Sequence, residues 1–394
     1  MFPFRAAHLD QVNKTVVKIL IVLLTICTIV IWIRVYYTFD PSVLYRKDFI
    51  QIYLMAKAAA FGRFVYSPLA DLALEFDPNL ASFHQHPAAY PPTVLLFFWP
   101  LAALPYVYAL LLWDVIEVIC FSFASVLVIR HLRFRSSVPL LLLMVVACVL
   151  WPPFFIDLFQ GQMMMTILLL LTATWLSLAS ERHALGGIFL GLIFALKLYA
   201  WPIAVMLLMR RLYRSVGWAI GTFLVLNLLA TIWLGSSTVT HYYLRVAPQI
   251  EQIYRTHILN FSVYAQGARL VAPWFGFLFV AALLSLSLTL AWKAPDFDHA
   301  YMIMVAATVI IGPVSWTHYL ITLVPAFCLI MTWKRLLFSE KVLIAILLYL
   351  AVPVIFESIL SPVVLGFMPI LFVLGIMVLL SRQFRVQSGE VLER

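Results

Sequence analysis

Stretches of about 20 apolar residues recur along this chain, and that recurrence constrains its fold more than any other feature. Each stretch is long enough to cross the ~30 Å hydrocarbon layer as a helix. In lipid a spanning backbone must satisfy its own hydrogen bonds, which leaves helices and closed barrels. The alternating segments of ~10 residues that build a barrel are absent. Of 394 residues, 64% are hydrophobic and 11% charged, whereas soluble proteins carry roughly a quarter charged. The expectation is an all-α polytopic membrane protein, one integral domain over residues 1–394, with about ten to twelve membrane helices.

The net charge of +9 does not point to nucleic acid. Its Lys and Arg residues sit in short clusters between apolar runs, as cytoplasmic loops do. Cys27, Cys120, Cys148 and Cys328 lie inside apolar runs without CxxC spacing, which predicts reduced packing residues rather than a disulfide framework.

Charge also orients the spans. Arg5, Lys14 and Lys18 precede the first span, about 15–37, which reads as a retained signal anchor with a cytoplasmic N-terminus. The following loop, 38–92, then lies outside with Asp48. Residues 93–104 are too short to cross at ~1.5 Å per residue and read as a helix dipping into the interface. Spans follow at about 106–129, 138–156 and 162–180, with "RHLRFR" inside and "WPPFFIDLFQGQ" turning outside. Residues 184–209 contain Lys197 at their middle. A single crossing would send most downstream cations outward, so the positive-inside bias favours two short helices broken around "KLYAWP", enclosing a cavity at that depth. Further spans are expected at about 215–234, 271–292, 299–313, 317–333, 341–358 and 362–380. This threading puts Asp48, the Asp157–Gln162 turn, a second outer loop at 235–270 and "GPVSWTHYL" (312–320) on one face.

Asp48 can act as a base on a hydroxyl whose partner is anchored in lipid; the plain alternative is a solvated acid paired with Arg46 or Lys47. His84 and His86 lack a third metal ligand at a recognisable spacing, and Tyr90 belongs to a Tyr–Pro–Pro turn. Gln160 and Gln162 can bind sugar or phosphate, or cap a helix. Lys197 is an intramembrane cation, a functional-site hypothesis by default, and can neutralise a lipid phosphate or reach water at a hairpin tip. His318 can donate to a phosphate oxygen or be held by local bonds at a helix start. The 235–270 loop supplies Tyr242, Tyr243, Arg245, Glu251, Arg255, His257, Asn260 and Arg269. Asp71, Glu75 and Asp77 read as a solvated helix face. Asp114 and Glu117, one turn apart inside a span, receive no role. No nucleotide-binding or hydrolase signature occurs.

The ordered set "DF" (48–49), "Y-x-x-A-K-A" (53–58), "G-x-x-x-Y-S-P" (62–68), "YPP…PLAALP" (90–105), "GQ" (161–162), "GLIFALKLYAWP" (191–202), "NFS" (260–262) and "GPVSWTHYL" resembles glycosyltransferase family 87. The resemblance runs from about residue 45 to 335. It implies a GT-C-type bundle in the plasma membrane, with its site facing the periplasm or exterior. It further implies an inverting transfer of a hexose, mannose in this family, from a polyprenyl-phosphate sugar to a glycolipid or glycan, without metal or cofactor. Asp48 matches the family's acidic residue and would be the general base. Lys197, His318, Gln162, Tyr90, Asn260 and Arg269 become the candidate substrate-binding residues, with membrane lipids as surroundings. Three features depart from the family pattern: Phe49 follows Asp48 where an acid pair is common, Leu198 follows Lys197 in place of Pro, and Asn260-Phe261-Ser262 stands where the family has Asn-Gln-Ser. The rival reading is a transporter or flippase of a lipid-linked saccharide, which would show repeat-related halves; none is apparent.

Overall fold

The computed structural model describes residues 48–80, 87–133, 151–294, 296–332 and 362–392. Among them the regular structure is helical, without strands. The expected spans at 15–37 and 341–358, most of 138–156, and Arg46, Lys47, His84, His86, Cys27 and Cys148 lie outside the described residues.

After Asp48 come α1 (Phe49–Ala60) and α2 (Leu69–Phe76). Short turns over Pro92–Ala103 follow, where prolines keep the backbone from forming one continuous helix. Pro105 then launches α3 (Tyr106–His131). Next are α4 (Pro152–Gln160) and α5 (Met164–Ala179), bent 118° from one another at Gly161, whose φ of +61° suits glycine. Further helices are α6 (His183–Leu196), α7 (Trp201–Met209), α8 (Tyr213–Leu234), α9 (Ala247–Tyr254), α10 (Val263–Leu270), α11 (Pro273–Trp292), α12 (Phe297–Ile311), α13 (Val324–Met331) and α14 (Pro362–Leu392), with shorter helical turns at Ser236–His241, Tyr242–Val246 and Thr317–Leu323. Among the described residues, α3, α8, α11 and the 364–381 part of α14 are long and apolar enough to cross a membrane; the bent α4–α5 pair would make a fifth.

Side-chain contacts fix the direction of each helix. Trp113 reaches Gln162 and His131 stacks edge-on against Trp175, so α3 and α5 run parallel. Gly186 packs on Leu178 and Thr174 while Lys197 meets Met164, so α6 returns antiparallel to α5. Gly187 and Gly191 lie against the carbonyls of Ser215 and Ala219; a Cβ at either would approach to 2.3 or 2.5 Å. Glycines four apart thus let α6 and α8 touch backbone to backbone, in parallel. Two parallel helices in sequence require a return between them, and α7 supplies it. Glu181, His183 and residues 209–212 consequently line one cavity. The break expected inside 184–209 is present at Lys197–Ala200, with both flanks at the same end of the bundle.

α12 starts beside that cavity end, where Asp298 accepts from Trp175 Nε1 at 2.8 Å and contacts His131 at 3.2 Å. Its far end leads to Ser315, which meets Asn260. Every residue from His299 to Ile311 is buried, whereas α8 exposes Leu224, Leu228 and Ile232. So α12 is a core helix of 15 residues and α8 a lipid-facing one. α11 runs from Gly276, packed on Tyr264, to Ala291, whose carbonyl accepts from Arg210. The bundle therefore has an Asp48 end and an Arg210 end.

Candidate active site

Asp48 immediately precedes α1 and is half-buried. Its Oδ2 accepts from Gln162 Nε2 at 2.8 Å, and its Oδ1 accepts a long bond from Gln51 Nε2 at 3.5 Å. Its backbone N–H donates to Gln160 Oε1 at 3.4 Å. Both glutamine amides that face the carboxylate are themselves oriented. Gln51 Oε1 accepts from the Ala89 N–H at 3.0 Å, and Gln162 Oε1 accepts from the Tyr90 hydroxyl at 3.0 Å. The carbonyl of Gln162 also accepts from Trp113 Nε1 at 2.9 Å. With its oxygen occupied, the Gln162 amide can only turn its NH2 toward Asp48. Tyr90 is buried, and that burial, with the Asp48 charge second, pushes its phenol well above the ordinary range, so it stays a donor.

Gly161 brings the Gln162 turn this close. A Cβ there would stand 2.7 Å from Phe49 Cβ and 3.0 Å from Leu110, so only glycine lets the turn lie against the start of α1.

Beneath this layer, two buried acids hold the start of α5. Asp157 Oδ1 accepts from the Met164 N–H at 3.2 Å. Glu117 Oε2, from mid-α3, accepts from the N–H groups of Met165 at 2.9 Å and Thr166 at 3.2 Å, and its Oε1 accepts from the Thr166 hydroxyl. Orphan donors at a helix start favour anionic acceptors. The sequence reading gave Glu117 no role and saw Asp157 only as part of a turn. The signal available was their position inside apolar runs, where an acid requires a partner.

Lys197 sits at the α6–α7 break. Its Nζ lies 3.7 Å from Met164 Sδ and 4.2 Å from the centre of the Tyr319 ring. Among the described residues no carboxylate is within ion-pair distance, but Asp157, Asp48 and Glu117 all act on its charge. Tyr199, two residues on, bonds Thr322 at 3.2 Å and packs edge-on against Tyr319, so the break is enclosed by protein. His318 is buried next to Tyr319, with no partner for its Nε2 among the described residues.

Asn260 has a different position from the others. Its NH2 donates to the carbonyls of Tyr254 (3.0 Å) and Pro313 (3.1 Å). Its Oδ1 accepts from the N–H groups of Ser262 (3.1 Å) and Ser315 (2.9 Å). All four capacities of the amide are spent on backbone, and none is left for a ligand. Asn260 is a staple between the 235–270 segment and the 312–320 turn. Its carbonyl also accepts from Arg269 Nη2, which leaves the buried Arg269 Nη1 without a partner among the described residues. The staple carries the 235–270 segment toward the carboxylate: burial and then the Asp48 charge push the Tyr254 phenol up to about 12.

Asp48, Gln162, Tyr90, Lys197 and His318 thus gather at one end of the bundle, with Asn260 and Arg269 on the segment packed over it. Among the described residues no three His, Cys, Asp or Glu side chains group to hold a metal ion. A cavity of about 640 Å³ lies at the opposite, Arg210 end. A family model, glycosyltransferase family 87, matches residues 88–313, more than half of the chain. That stretch includes Tyr90, Gln162, Lys197, Asn260 and Arg269; Asp48 and His318 flank it. No curated protein and no solved structure matches the chain.

Proposed function

The chain belongs to glycosyltransferase family 87, and on that premise we propose that it moves a hexose, mannose, from a polyprenyl-phosphate donor to a hydroxyl of a glycolipid or glycan acceptor, with inversion. The observation that carries the reading is the Asp48 carboxylate held at 2.8 Å by an amide that Tyr90 has already oriented. A carboxylate fixed in this way keeps an unshared lone pair aimed away from Gln162, toward an incoming O–H.

The acceptor hydroxyl gives its proton to Asp48 as its oxygen attacks the anomeric carbon. The bond from that carbon to the phosphate oxygen breaks on the opposite side, and polyprenyl phosphate leaves with the electron pair. Negative charge grows on the leaving phosphate, so preorganised cations and donors stabilise the transition state more than the ground state. Lys197 supplies the cation. His318 Nε2 and Arg269 Nη1 supply two buried positions that are unpartnered among the described residues. Asp157 and Glu117 hold the α5 start, and through it Gln162.

The orientation follows from charge. Arg130, Arg133, Arg182, Arg210, Arg211 and Lys293 belong to the Arg210 end, which the positive-inside bias assigns to the cytoplasm. Asp48 then faces the periplasm or exterior of the plasma membrane, where a lipid-carried sugar meets a surface acceptor.

The test is transfer from radiolabelled polyprenyl-phosphate mannose to membrane glycolipids by the purified chain in nanodiscs. Asp48→Asn keeps the size and the bond to Gln162 but removes the base. The expected loss is about 10²–10⁴-fold in turnover with unchanged thermal unfolding. Transfer within a few-fold of the parent would overturn the assignment. Flux of lipid-linked sugar across the bilayer that survives Asp48→Asn, without transfer in either protein, would favour the flippase reading instead.

A further inference from the structure

The cavity at the Arg210 end lies outside the transfer chemistry. Its volume of about 640 Å³ opens among the turns joining α5 to α6 and α7 to α8, closed on the third side by the end of α11. Arg210, Arg211 and His183 line it, with Trp292 and Met209 at its apolar border. Arg210 is anchored there by its Nη2, which donates to the Ala291 carbonyl. Its Nε is buried and has no acceptor among the described residues. Arg211, exposed, and the half-buried Arg210 guanidinium put two positive charges on the cavity wall, and charged hydrogen bonds to an anionic oxygen are the strong ones.

The backbone adds to the same field. α6 begins at His183 and α8 at Tyr213, both beside the cavity, and neither start has a side-chain cap. Their N–H groups and positive dipole ends favour an anion. Of the acids nearby, Glu181 lines the cavity and Asp296 acts on Arg210. Asp296 is already committed to His299, at 2.7 and 2.8 Å, and caps α12 through the His299 N–H.

The border identifies the source of the anion. Trp292 ends the lipid-facing helix α11 with 59% of its surface exposed, and Met209 is 40% exposed. An exposed Trp at the end of a span sits at headgroup depth. A cavity with arginines inside and an apolar, membrane-level border suits a phosphate that carries acyl chains. We propose that this cavity binds the phosphodiester of an anionic phospholipid in the leaflet at the Arg210 end. Basic pockets between membrane helices are a recurrent solution for such headgroups.

The test is native mass spectrometry of the full chain in neutral detergent, with added phosphatidylglycerol, phosphatidylcholine or inorganic phosphate at equal concentration. Phosphatidylglycerol is expected to occupy the protein about tenfold more than phosphatidylcholine, which has the same phosphate but a choline cation that the arginines repel. R211Q, at an exposed position, should cut that preference severalfold while unfolding at the parent temperature; R210Q should abolish it. Asp48→Asn should leave it unchanged. Equal occupancy by the two lipids, or an undiminished preference in R211Q with R210Q, would overturn the proposal. Inorganic phosphate competing as well as phosphatidylglycerol would also overturn it, in favour of a soluble-anion site.

Discussion

The two ends of the bundle handle charge in opposite ways. At the Asp48 end the acids bond to the protein itself, although Asp157 Oδ2 is buried without a partner among the described residues. Asp48 takes two amides, Asp157 takes a helix N–H, and Glu117 takes two N–H groups and a hydroxyl. Lys197 stands among them without an ion pair among the described residues, closest to a thioether and a ring. At the Arg210 end the cations face a cavity, and Arg210 keeps an N–H unused. At the Asp48 end internal bonds hold the acids, and His318 Nε2 and Arg269 Nη1 stay unpartnered among the described residues; at the Arg210 end the arginines line an open cavity. The difference teaches that burial of charge has two costs and two remedies. A group whose partners are all in the chain stabilises the fold; a group without one waits for a ligand.

That contrast is broken most sharply by removing an acid from the first end. Glu117→Ala strips acceptors from the Met165 and Thr166 N–H groups and from the Thr166 hydroxyl in a buried setting. We expect about 3–5 kcal/mol of lost stability, read as a large fall in thermal midpoint in detergent. Glu117→Gln keeps one carbonyl oxygen and should cost about 1–2 kcal/mol. Arg211→Ala, at the other end, should leave the midpoint unchanged because no described contact depends on it. Equal destabilisation by Glu117→Ala and Arg211→Ala would erase the distinction between the ends.

The next effect falls on turnover rather than stability. Gln162→Ala leaves Asp48 without its shortest bond, and the carboxylate is free to swing. On the proposed chemistry kcat should drop about 100-fold, the scale of a misplacement of ~1 Å, with KM nearly constant. Tyr90→Phe removes only the bond that orients the Gln162 amide. It should cost about fivefold, the worth of one ordinary hydrogen bond of ~1 kcal/mol. A Tyr90→Phe loss as large as that of Gln162→Ala would mean Tyr90 touches substrate instead of orienting the amide.

The sequence made the helical class legible because a bilayer dictates both composition and segment length. It also made the α6–α7 return legible, since cations partition by side and a single crossing would have reversed them. The Gly187-x-x-x-Gly191 spacing was a second signal for the same feature, pointing to the close contact with α8. The helix at the span expected over 299–313 runs from one end of the bundle to the other and is buried by protein all round. Its run of apolar residues reads alike whether lipid or protein surrounds it. Asn260 looked like a ligand-binding amide, and its four partners, at Tyr254, Pro313, Ser262 and Ser315, include two more than 50 residues away. Glu117 and Asp157 had no readable role because their partners are backbone N–H groups and one hydroxyl at the start of another helix, which no spacing rule encodes.

The smallest expected effect sharpens the comparison at the surface of the Asp48 end. Glu251 and Arg255 form a two-pronged pair at 2.8 and 2.7 Å, one helical turn apart on and just beyond α9. The Arg255 hydrogen bonds hold the Glu251 carboxyl below its ordinary value of 4.5. A carboxyl depressed by folding contributes stability that is fully present above its unfolded value and is lost as pH falls through the folded one. The parent should therefore lose a little thermal stability below about pH 4.5 that Glu251→Gln does not lose, since Gln cannot titrate. Solvent screens the pair, so the difference should be a fraction of that seen with Glu117. A Glu251→Gln variant as damaged as Glu117→Ala would place this pair in the buried framework and extend that framework into the 235–270 segment.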